Sequence, residues 1–295
     1  MIPPDFLVIG HVVQDLVPAD PQGWRLGGTA SYASLLAARL GLRTAVLTAA
    51  GPDLSLANAL PGVEVVMAAG EVSTQIRNVY RGDHRTQYIP RRATLIEKAA
   101  LPEEWRQAAI VLLGPVAGEV DDGLAGCFPA APVGVSAQGW LRQIGTAAAG
   151  GRVRPVHPDR WEAAPILRHA GALFVSDEDL PQRETKAVLA DWSRQVETVA
   201  FTHGERGADI CQRGVWRHVD AFPARSVDPT GAGDIFAAAF LIRRHEGVDV
   251  WESACFAACA ASFVVEGEGT AAIPNRGQIE GRLREHPEIV CRTVS

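Results

Sequence analysis

The stretch Ser226-Val227-Asp228-Pro229-Thr230-Gly231-Ala232-Gly233-Asp234-Ile235-Phe236 joins a run of small residues to the start of an apolar segment. Small residues at 231–233 allow the backbone to come close to a phosphate, so that main-chain N–H groups point at it. The apolar residues that follow predict a helix, whose positive end is directed at the same place. Asp234 then lies where an alcohol brought up to that phosphate would sit. We interpret Asp234 as the general base of phosphoryl transfer to a hydroxyl group.

A second interpretation of these residues needs no ligand. A glycine-rich turn followed by an Asp that caps a core helix is common in proteins. The match to a known signature is nevertheless longer than a turn requires. The run DPTGAGD, followed by Phe and small residues, strongly resembles the C-terminal signature of the ribokinase family, the PfkB-type sugar and nucleoside kinases. The resemblance implies that the amides of Gly231, Ala232 and Gly233 form an anion hole and that Asp234 accepts the substrate's proton.

A second matching region lies near the N-terminus. Residues 6–10 read as a buried strand that ends in a turn, Asp15 follows, and Leu26-Gly27-Gly28-Thr29 opens a helix. The resemblance implies that Asp15, Gly27 and Gly28 hold substrate hydroxyls. Asp15 offers two acceptor oxygens, and the two glycines let a sugar lie against the backbone. The alternative is a solvated Asp next to an ordinary turn.

The acceptor region departs from ribokinase at one position. Ribokinase itself carries an Asn four residues after the second Gly, where this chain has Tyr32. This difference argues against a ribose-type substrate. Three short segments look more like the branch that contains myo-inositol kinases: residues 26–32, Gly10-His11 and residues 138–142 (QGWLR). The resemblance therefore favours a small polyol as the phosphate acceptor.

The nucleotide half is also recognisable. Residues 199–208 read as a strand, a Gly-bounded turn and a second strand. They resemble the family's Thr-x-Gly-x-x-Gly loop, which implies that Thr202, Gly204 and Gly207 lie under the phosphates and ribose of ATP. Residues 268–274 resemble the loop on the adenine side, which includes Gly269. The alternative for 199–208 is a hairpin turn without a ligand.

Metal binding is implied by a third element. The family has an Asn-x-x-Glu motif after a central strand, and here Ser176 and Asp179 take the corresponding places. Magnesium keeps several waters and few protein carboxylates, so Asp179 can act on Mg²⁺ through water. The alternative is that the acidic residues cap the next helix. The resemblance also implies a monovalent-cation (K⁺) site at Asp228.

Competing phosphate-binding motifs are missing from the sequence. Neither Lys98 nor Lys186 ends a glycine-rich run, so there is no Walker-type loop. No Gly-x-Gly-x-x-Gly follows a strand, so the dinucleotide fingerprint is missing as well. The cysteines show no paired Cys-x-x-Cys spacing. A zinc site of that type is therefore not predicted.

Composition is typical of an ordinary enzyme. The chain has 295 residues, 47% of them apolar, and a net charge of −6. Without basic runs, nucleic acid is not expected as a partner. No apolar run reaches the roughly 18 residues of a membrane span, and the N-terminus lacks a signal pattern, so we expect no membrane association. An odd number of cysteines without a framework favours the cytoplasm.

Apolar strand-like runs alternate with helical stretches along the chain, which predicts an α/β fold with a mostly parallel sheet and helices on both faces. The expected elements are strands at 6–9, 44–48, 110–113, 132–135, 172–175 and 198–202, and helices at 29–40 and 186–194. The resemblance implies one ribokinase-like kinase domain over 1–295 with a small β-sheet lid, built from segments at about 11–28 and 63–92 with a turn at 81–84. Exposed strand edges on the lid favour a homodimer.

These observations lead to three functional hypotheses. The first is an ATP-dependent kinase that phosphorylates a small sugar or polyol, with a myo-inositol-like acceptor favoured. The second is a nucleoside kinase of the same fold, in which Tyr80 or Tyr88 provides a flat slot for the base. The third is a catalytically silent sensor of sugar or nucleotide, against which the retained Asp234 argues. The sequence does not distinguish which hydroxyl is phosphorylated.

Overall fold

The computed structural model describes residues 2–56, 59–81, 84–146, 150–155, 158, 161–181 and 183–294, without the side chains of residues 80, 81, 84 and 85. The strands are β1 (Phe6–Ile9), β2 (Val13–Leu16), β3 (Trp24–Gly27), β4 (Thr44–Ala50), β5 (Val63–Ala69), β6 (Thr74–Arg81), β7 (His84–Arg91), β8 (Ile110–Leu113), β9 (Val133–Ser136), β10 (Arg142–Ile144), β11 (Val153–Pro155), β12 (Ala172–Ser176), β13 (Thr198–Thr202), β14 (Ala208–Gln212), β15 (Val215–Val219) and β16 (Arg292–Thr293). The helices are α1 (Thr29–Arg39), α2 (Ala164–Leu167), α3 (Thr185–Gln195), α4 (Ala232–His245), α5 (Val250–Val264) and α6 (Arg276–Glu285).

Ten strands form one large sheet in the order β16-β15-β14-β13-β12-β9-β8-β1-β4-β5. The pairs from β5 to β13 are parallel, and β14, β15 and β16 add antiparallel strands at one edge. The central strands β1 and β8 are completely buried, which explains their unbroken apolar sequences. The carboxyl ends of the parallel strands meet at one edge of the sheet, where ligands bind in folds of this kind.

Helices cover both faces of this sheet. One core contains side chains of α1, α4, α5 and α6, and a second core contains side chains of α2 and α3. Alternate residues of β1 enter different cores, because Val8 belongs to the first and Leu7 to the second. Helix α1 ends just before Gly41, whose φ of +90° suits a helix terminus. The predicted α/β architecture is confirmed.

A second sheet of four strands, in the order β3-β2-β6-β7, forms the lid. Its inner side contributes Val13, Ile76 and Ile89 to a small apolar cluster with Val116 and Ala117 of the main body. Four strands with one apolar face are enough to make a stable layer only when that face is covered. The cluster therefore fixes the lid sheet on the large domain at the carboxyl edge of its strands.

The boundary predicted for the second lid segment needs one correction. Strand β5, Val63–Ala69, pairs in parallel with β4 and forms the edge of the large sheet, so the lid strands of this second segment begin at Thr74. The half-buried pattern of an edge strand resembles that of a lid strand, and the sequence alone did not separate them. The predicted turn at 81–84 includes Gly82 and Asp83, which lie outside the described residues.

The chain covers one edge of its own lid. The Ile89 N–H donates to the Gly151 carbonyl at 2.8 Å, and Tyr88 forms a bridge with Arg152 next to the β10–β11 hairpin. Gly151 has a φ of +68°, and a Cβ there would lie 1.9 Å from the Ile89 oxygen. Strand β3 forms the other edge of the lid sheet. The homodimer stays a prediction. Of the two lid edges, β3 is the one that the 151–152 segment does not cover, so it is the edge with which a second chain would pair.

Within the described ranges, no helix has both the length and the apolar character needed to cross a bilayer.

Candidate active site

Two helix N-termini meet at Asp234. Helix α4 begins at Ala232, which places Asp234 in its first turn, and α1 begins at Thr29. Each of these helices follows a glycine with a positive φ, since Gly231 and Gly28 both have a φ of +84°. The Thr29 hydroxyl donates to Asp234 Oδ1 at 2.6 Å. This hydrogen bond joins the two helix ends and fixes one oxygen of the predicted base.

The amide groups around Asp234 are available to an anion. In the described part of the chain, the N–H groups of Gly231, Gly233 and Asp234 have no hydrogen-bond acceptor. The Ala232 N–H has a long contact of 3.4 Å with the Pro229 carbonyl. Unpaired amides at a helix N-terminus attract negative charge. The geometry can therefore hold a phosphate beside Asp234, with the Ala232 amide turned partly to Pro229.

Burial dominates the electrostatics of Asp234. It raises the pKa of this carboxyl to about 6, against the hydrogen bond from Thr29 and the charge of Arg142, which lower the pKa. The negative charge of Asp179 adds to the increase. A carboxylate whose pKa approaches neutrality holds a proton more readily than an ordinary Asp. The side chain therefore has the acid–base properties that a general base needs.

The acceptor residues predicted from the sequence lie together, next to the N-terminus of α1, whose Thr29 contacts Asp234. Asp15 on β2 and Gly27 on β3 belong to paired strands, and Gly28 directly precedes Thr29. A Cβ on Gly27 would lie 2.0 Å from Asp15 Oδ2, and a Cβ on Gly28 would lie 2.6 Å from the His11 carbonyl oxygen. Both positions therefore require glycine for steric reasons. Because Gly27 and Gly28 have no side chains, the Asp15 carboxylate lies directly over the backbone of the turn that they form.

Tyr32 lies under the glycine turn. Its side chain is 1% exposed, and a Cβ on Gly231 would come within 2.4 Å of its ring. Among the described residues, its hydroxyl has no hydrogen-bond partner. Burial and the charges of Asp15, Asp228 and Asp234 raise the pKa of this phenol. Tyr32 thus supports the turn from below, and its hydroxyl faces the charged side of the site.

Asp228 connects the glycine turn to the loop after α5. Its Oδ1 accepts from the Thr230 N–H at 3.0 Å, and its Oδ2 accepts from the Gly269 N–H at 3.3 Å. Beside this connection, Arg25 of β3 donates to Glu268 at 2.8 Å, which links the lid to the same loop. Both oxygens of Asp228 thus have a structural role. The K⁺ site predicted there stays a prediction.

The predicted nucleotide residues lie at the carboxyl end of β13. Thr202 is the last residue of that strand, and its hydroxyl is 3.5 Å from the Val175 carbonyl. Gly204 and Gly207 have φ values of +58° and +90°. A Cβ on Gly207 would lie 2.1 Å from the Val219 oxygen, so the hairpin itself requires this glycine. The contact with ATP stays a prediction for all three residues.

Asp179 closes a turn after β12. Its Oδ2 accepts from the Ser176 N–H at 3.0 Å, and its side chain is 8% exposed. It does not cap the next helix, since α3 begins at Thr185 after Glu184. The described residues contain no group of three or more His, Cys, Asp or Glu side chains that could hold a metal by themselves. A lone carboxylate fits Mg²⁺ held mainly by water and by substrate phosphates.

Two residues of this site received no role from the sequence. Thr29 contacts Asp234 directly, and Arg142 of β10 donates to the Val116 carbonyl at 2.9 Å while its charge acts on Asp234. Both lie in sequence segments that carry the resemblance to the ribokinase family, residues 26–32 and 138–142. Their proximity to Asp234 results from tertiary packing, which a single sequence does not display.

Part of the sequence matches a known protein family. Residues 138–276 match the pfkB family carbohydrate kinases. An inositol 3-kinase from Oryza sativa subsp. japonica is 30% identical over 281 residues, which cover 88% of this chain and 68% of that protein. A nucleoside kinase from Methanothermobacter thermautotrophicus is 42% identical over 86 residues. That match covers 29% of this chain and 28% of the relative, so the chain spans less than a third of that protein.

The fold is shared with solved kinases. A pyrophosphate-dependent kinase of the ribokinase family, solved with a pyrophosphate analogue and myo-inositol, superposes with a TM-score of 0.77 at 21% identity. The superposition covers 93% of this chain and 99% of that one. The predicted ribokinase-like fold, a large mostly parallel sheet with a small separate sheet, is thereby confirmed.

Proposed function

The chain belongs to the pfkB family of carbohydrate kinases, and we propose that it transfers the γ-phosphate of ATP to a hydroxyl of a small polyol. One observation carries this proposal. The carboxylate of Asp234 is held by Thr29 through Oδ1, and it lies in the same turn as the Gly231 and Gly233 amides, which have no acceptor among the described residues. A base next to an anion site is the arrangement that phosphoryl transfer to an alcohol requires.

Each residue has a defined part in the proposed reaction. Asp15 and the backbone at Gly27 and Gly28 hold the acceptor so that its hydroxyl faces Asp234. As the acceptor O–H bond breaks, the proton moves to Asp234, the acceptor oxygen bonds to the γ-phosphorus, and the bond to the leaving ADP oxygen breaks. The amides at 231–233 stabilise the negative charge of the moving phosphoryl group. Magnesium, held through water at Asp179, would neutralise phosphate charge when bound.

The polyol is favoured over a nucleoside. An inositol 3-kinase is 30% identical over 88% of the chain, and a cytidine kinase from Thermococcus kodakarensis is 28% identical over 82% of it, so identity favours the polyol only slightly. Of the two tyrosines considered for a base slot, Tyr88 already has Arg77 over its ring at 4.8 Å. The side chain of Tyr80 lies outside the described residues. A nucleoside acceptor is therefore the second candidate.

A panel assay tests the proposal. Release of phosphorylated product would be measured for inositols, hexoses, pentoses and nucleosides, with ATP and with pyrophosphate as donors and Asp234→Asn as the blank. Turnover of a polyol with ATP is expected. Turnover of nucleosides alone would favour the second candidate. Tight binding of a sugar without turnover of any acceptor would instead support the sensor.

The pH dependence follows from the raised pKa of Asp234. The base works only when it is deprotonated, so kcat/KM for the acceptor should fall about tenfold per pH unit below about pH 6. Above that value we expect a plateau. The measurement is a pH profile at saturating Mg·ATP, with folding followed by circular dichroism at each pH. An acid limb near pH 4, the range of an ordinary Asp, would contradict the assignment.

Removal of Asp15 should affect the acceptor more than the donor. Asp15→Ala deletes the carboxylate that lies over Gly27, so we expect KM for the polyol to rise at least about tenfold while KM for ATP changes less than twofold. Initial rates over both substrates provide the measurement. Glu71→Ala, which removes an exposed carboxylate between β5 and β6, is the matched control and should change neither constant. A larger effect on ATP than on the polyol would count against the assignment.

A further inference from the structure

We propose that Thr29 is a positioning residue for the catalytic base, whose hydroxyl holds Asp234 Oδ1 and so leaves Oδ2 to accept the proton of the substrate. This inference rests on the proposed kinase function and adds a residue to its site. The hydrogen bond of 2.6 Å joins residues 205 positions apart in the chain. In the described part of the chain, no donor reaches Asp234 Oδ2.

The orientation of Thr29 is fixed by packing. Its side chain is 1% exposed, and a Cβ on Gly114 would lie 2.2 Å from its Cγ2 methyl. The methyl is therefore in close contact with the backbone of Gly114, and a β-branched side chain has few other rotamers. Because the methyl occupies that position, the hydroxyl must point at Asp234. Gly114 follows β8 at the carboxyl edge of the sheet, which connects the base to the rigid centre of the fold.

The hydrogen bond also sets the charge of the base. Burial favours the neutral acid, and the Thr29 hydroxyl lowers the pKa of Asp234 against that effect by stabilising the carboxylate. Without the hydroxyl, this hydrogen bond would no longer counteract the effect of burial. The pKa of Asp234 would rise, and a smaller fraction of the carboxyl would be ionised at pH 7. The bond can persist during the reaction. When the proton reaches Oδ2, Oδ1 becomes the carbonyl oxygen of the acid and still accepts from Thr29.

Thr29 also connects the base to the acceptor-binding turn. It directly follows Gly27 and Gly28, and it is the first residue of α1. The backbone that holds the polyol and the hydroxyl that orients Asp234 therefore belong to one short segment. A displacement of about 1 Å in this segment would move the acceptor and the base relative to the phosphate, and misplacements of that size are costly in catalysis.

A matched pair of variants tests the inference. Thr29→Val keeps the shape and removes the hydroxyl, whereas Thr29→Ser keeps the hydroxyl and removes the methyl. For Thr29→Val we expect kcat at pH 7 to fall about tenfold, the loss of one hydrogen bond to a charged group, with the acid limb of the pH profile moved to higher pH and KM for ATP unchanged. Thr29→Ser loses the methyl that restricts the rotamer, but its hydroxyl can still donate to Asp234, so it should retain most of kcat and the wild-type acid limb. A purely structural role would not move the acid limb.

A second readout separates this inference from the proposed function. The pKa of Asp234 can be followed directly by carboxyl ¹³C NMR, with Asp234→Asn used to assign the signal. It should be higher in Thr29→Val than in the wild type or in Thr29→Ser. If the wild type turns over no acceptor, the proposed function fails, and the titration still decides the role of Thr29. If Thr29→Val does not fold, Thr29→Ala replaces it. Equal titration and equal kcat in the wild type and the hydroxyl-free variant would overturn the inference.

Discussion

Asp234→Asn is expected to lower kcat by about a thousandfold, within the range over which general bases contribute. The amide is the same size as the carboxylate, and its oxygen can still accept from Thr29, but it cannot take the acceptor's proton. The Kd for ATP should change less than twofold, because in the proposed mechanism the carboxylate faces the acceptor and not the nucleotide. Steady-state rates and calorimetric titration with ATP provide the two measurements. A variant that keeps more than a tenth of the wild-type kcat would remove Asp234 from the mechanism.

The same substitution should stabilise the fold. Because burial raises the pKa of Asp234 to about 6, the charged carboxylate disfavours the folded state by up to about 3 kcal/mol at pH 7. A group with a raised pKa contributes its stability below its ordinary pKa and loses it as the pH rises through 6. Asp234→Asn should therefore raise Tm at pH 7 to 8, with a gain that shrinks between pH 6 and pH 4. A loss of Tm at pH 7 would mean that the carboxylate has a structural role.

Most of the large sheet could be predicted from the sequence, since its buried strands are continuous apolar runs. Strands at Phe6–Ile9, Ile110–Leu113 and Thr198–Thr202 have the predicted bounds. The prediction was wrong for Val63–Ala69, which pairs with β4 at the sheet edge. An edge strand is half exposed, and so is a lid strand. Burial patterns alone do not say which sheet such a strand joins.

For the candidate site as well, only some features could be predicted from the sequence. Glycines and acidic residues in short motifs could be predicted because the backbone conformation that they need is local, as at Gly28 and Gly231 with their positive φ. The contacts that orient these residues are not local. The Thr29–Asp234 and Arg25–Glu268 hydrogen bonds connect positions 205 and 243 residues apart. They depend on how α1, α4 and the lid pack, so the sequence predicted candidate residues and the structure shows how they are held.

Gly231→Ala should combine two separate losses. Its φ of +84° is costly for any residue with a Cβ, on the order of 1–2 kcal/mol. The new methyl would also lie 2.4 Å from the ring of Tyr32, which is buried and cannot withdraw. The turn must therefore move, and its unpaired amides move with it. We expect kcat/KM to fall by about 10²- to 10³-fold, the effect of losing one anion-hole donor.

Gly247→Ala separates backbone strain from the contact with Tyr32. Gly247 follows the other end of α4 with a φ of +83°, and nothing lies within 4 Å of a Cβ placed there. This control should lower Tm through the same strain while kcat/KM stays within twofold. Initial rates and thermal unfolding of both variants complete the comparison. If Gly231→Ala lost no more activity than Gly247→Ala, the turn at 231–233 would not be the phosphate site, because its displacement would then be harmless to the reaction.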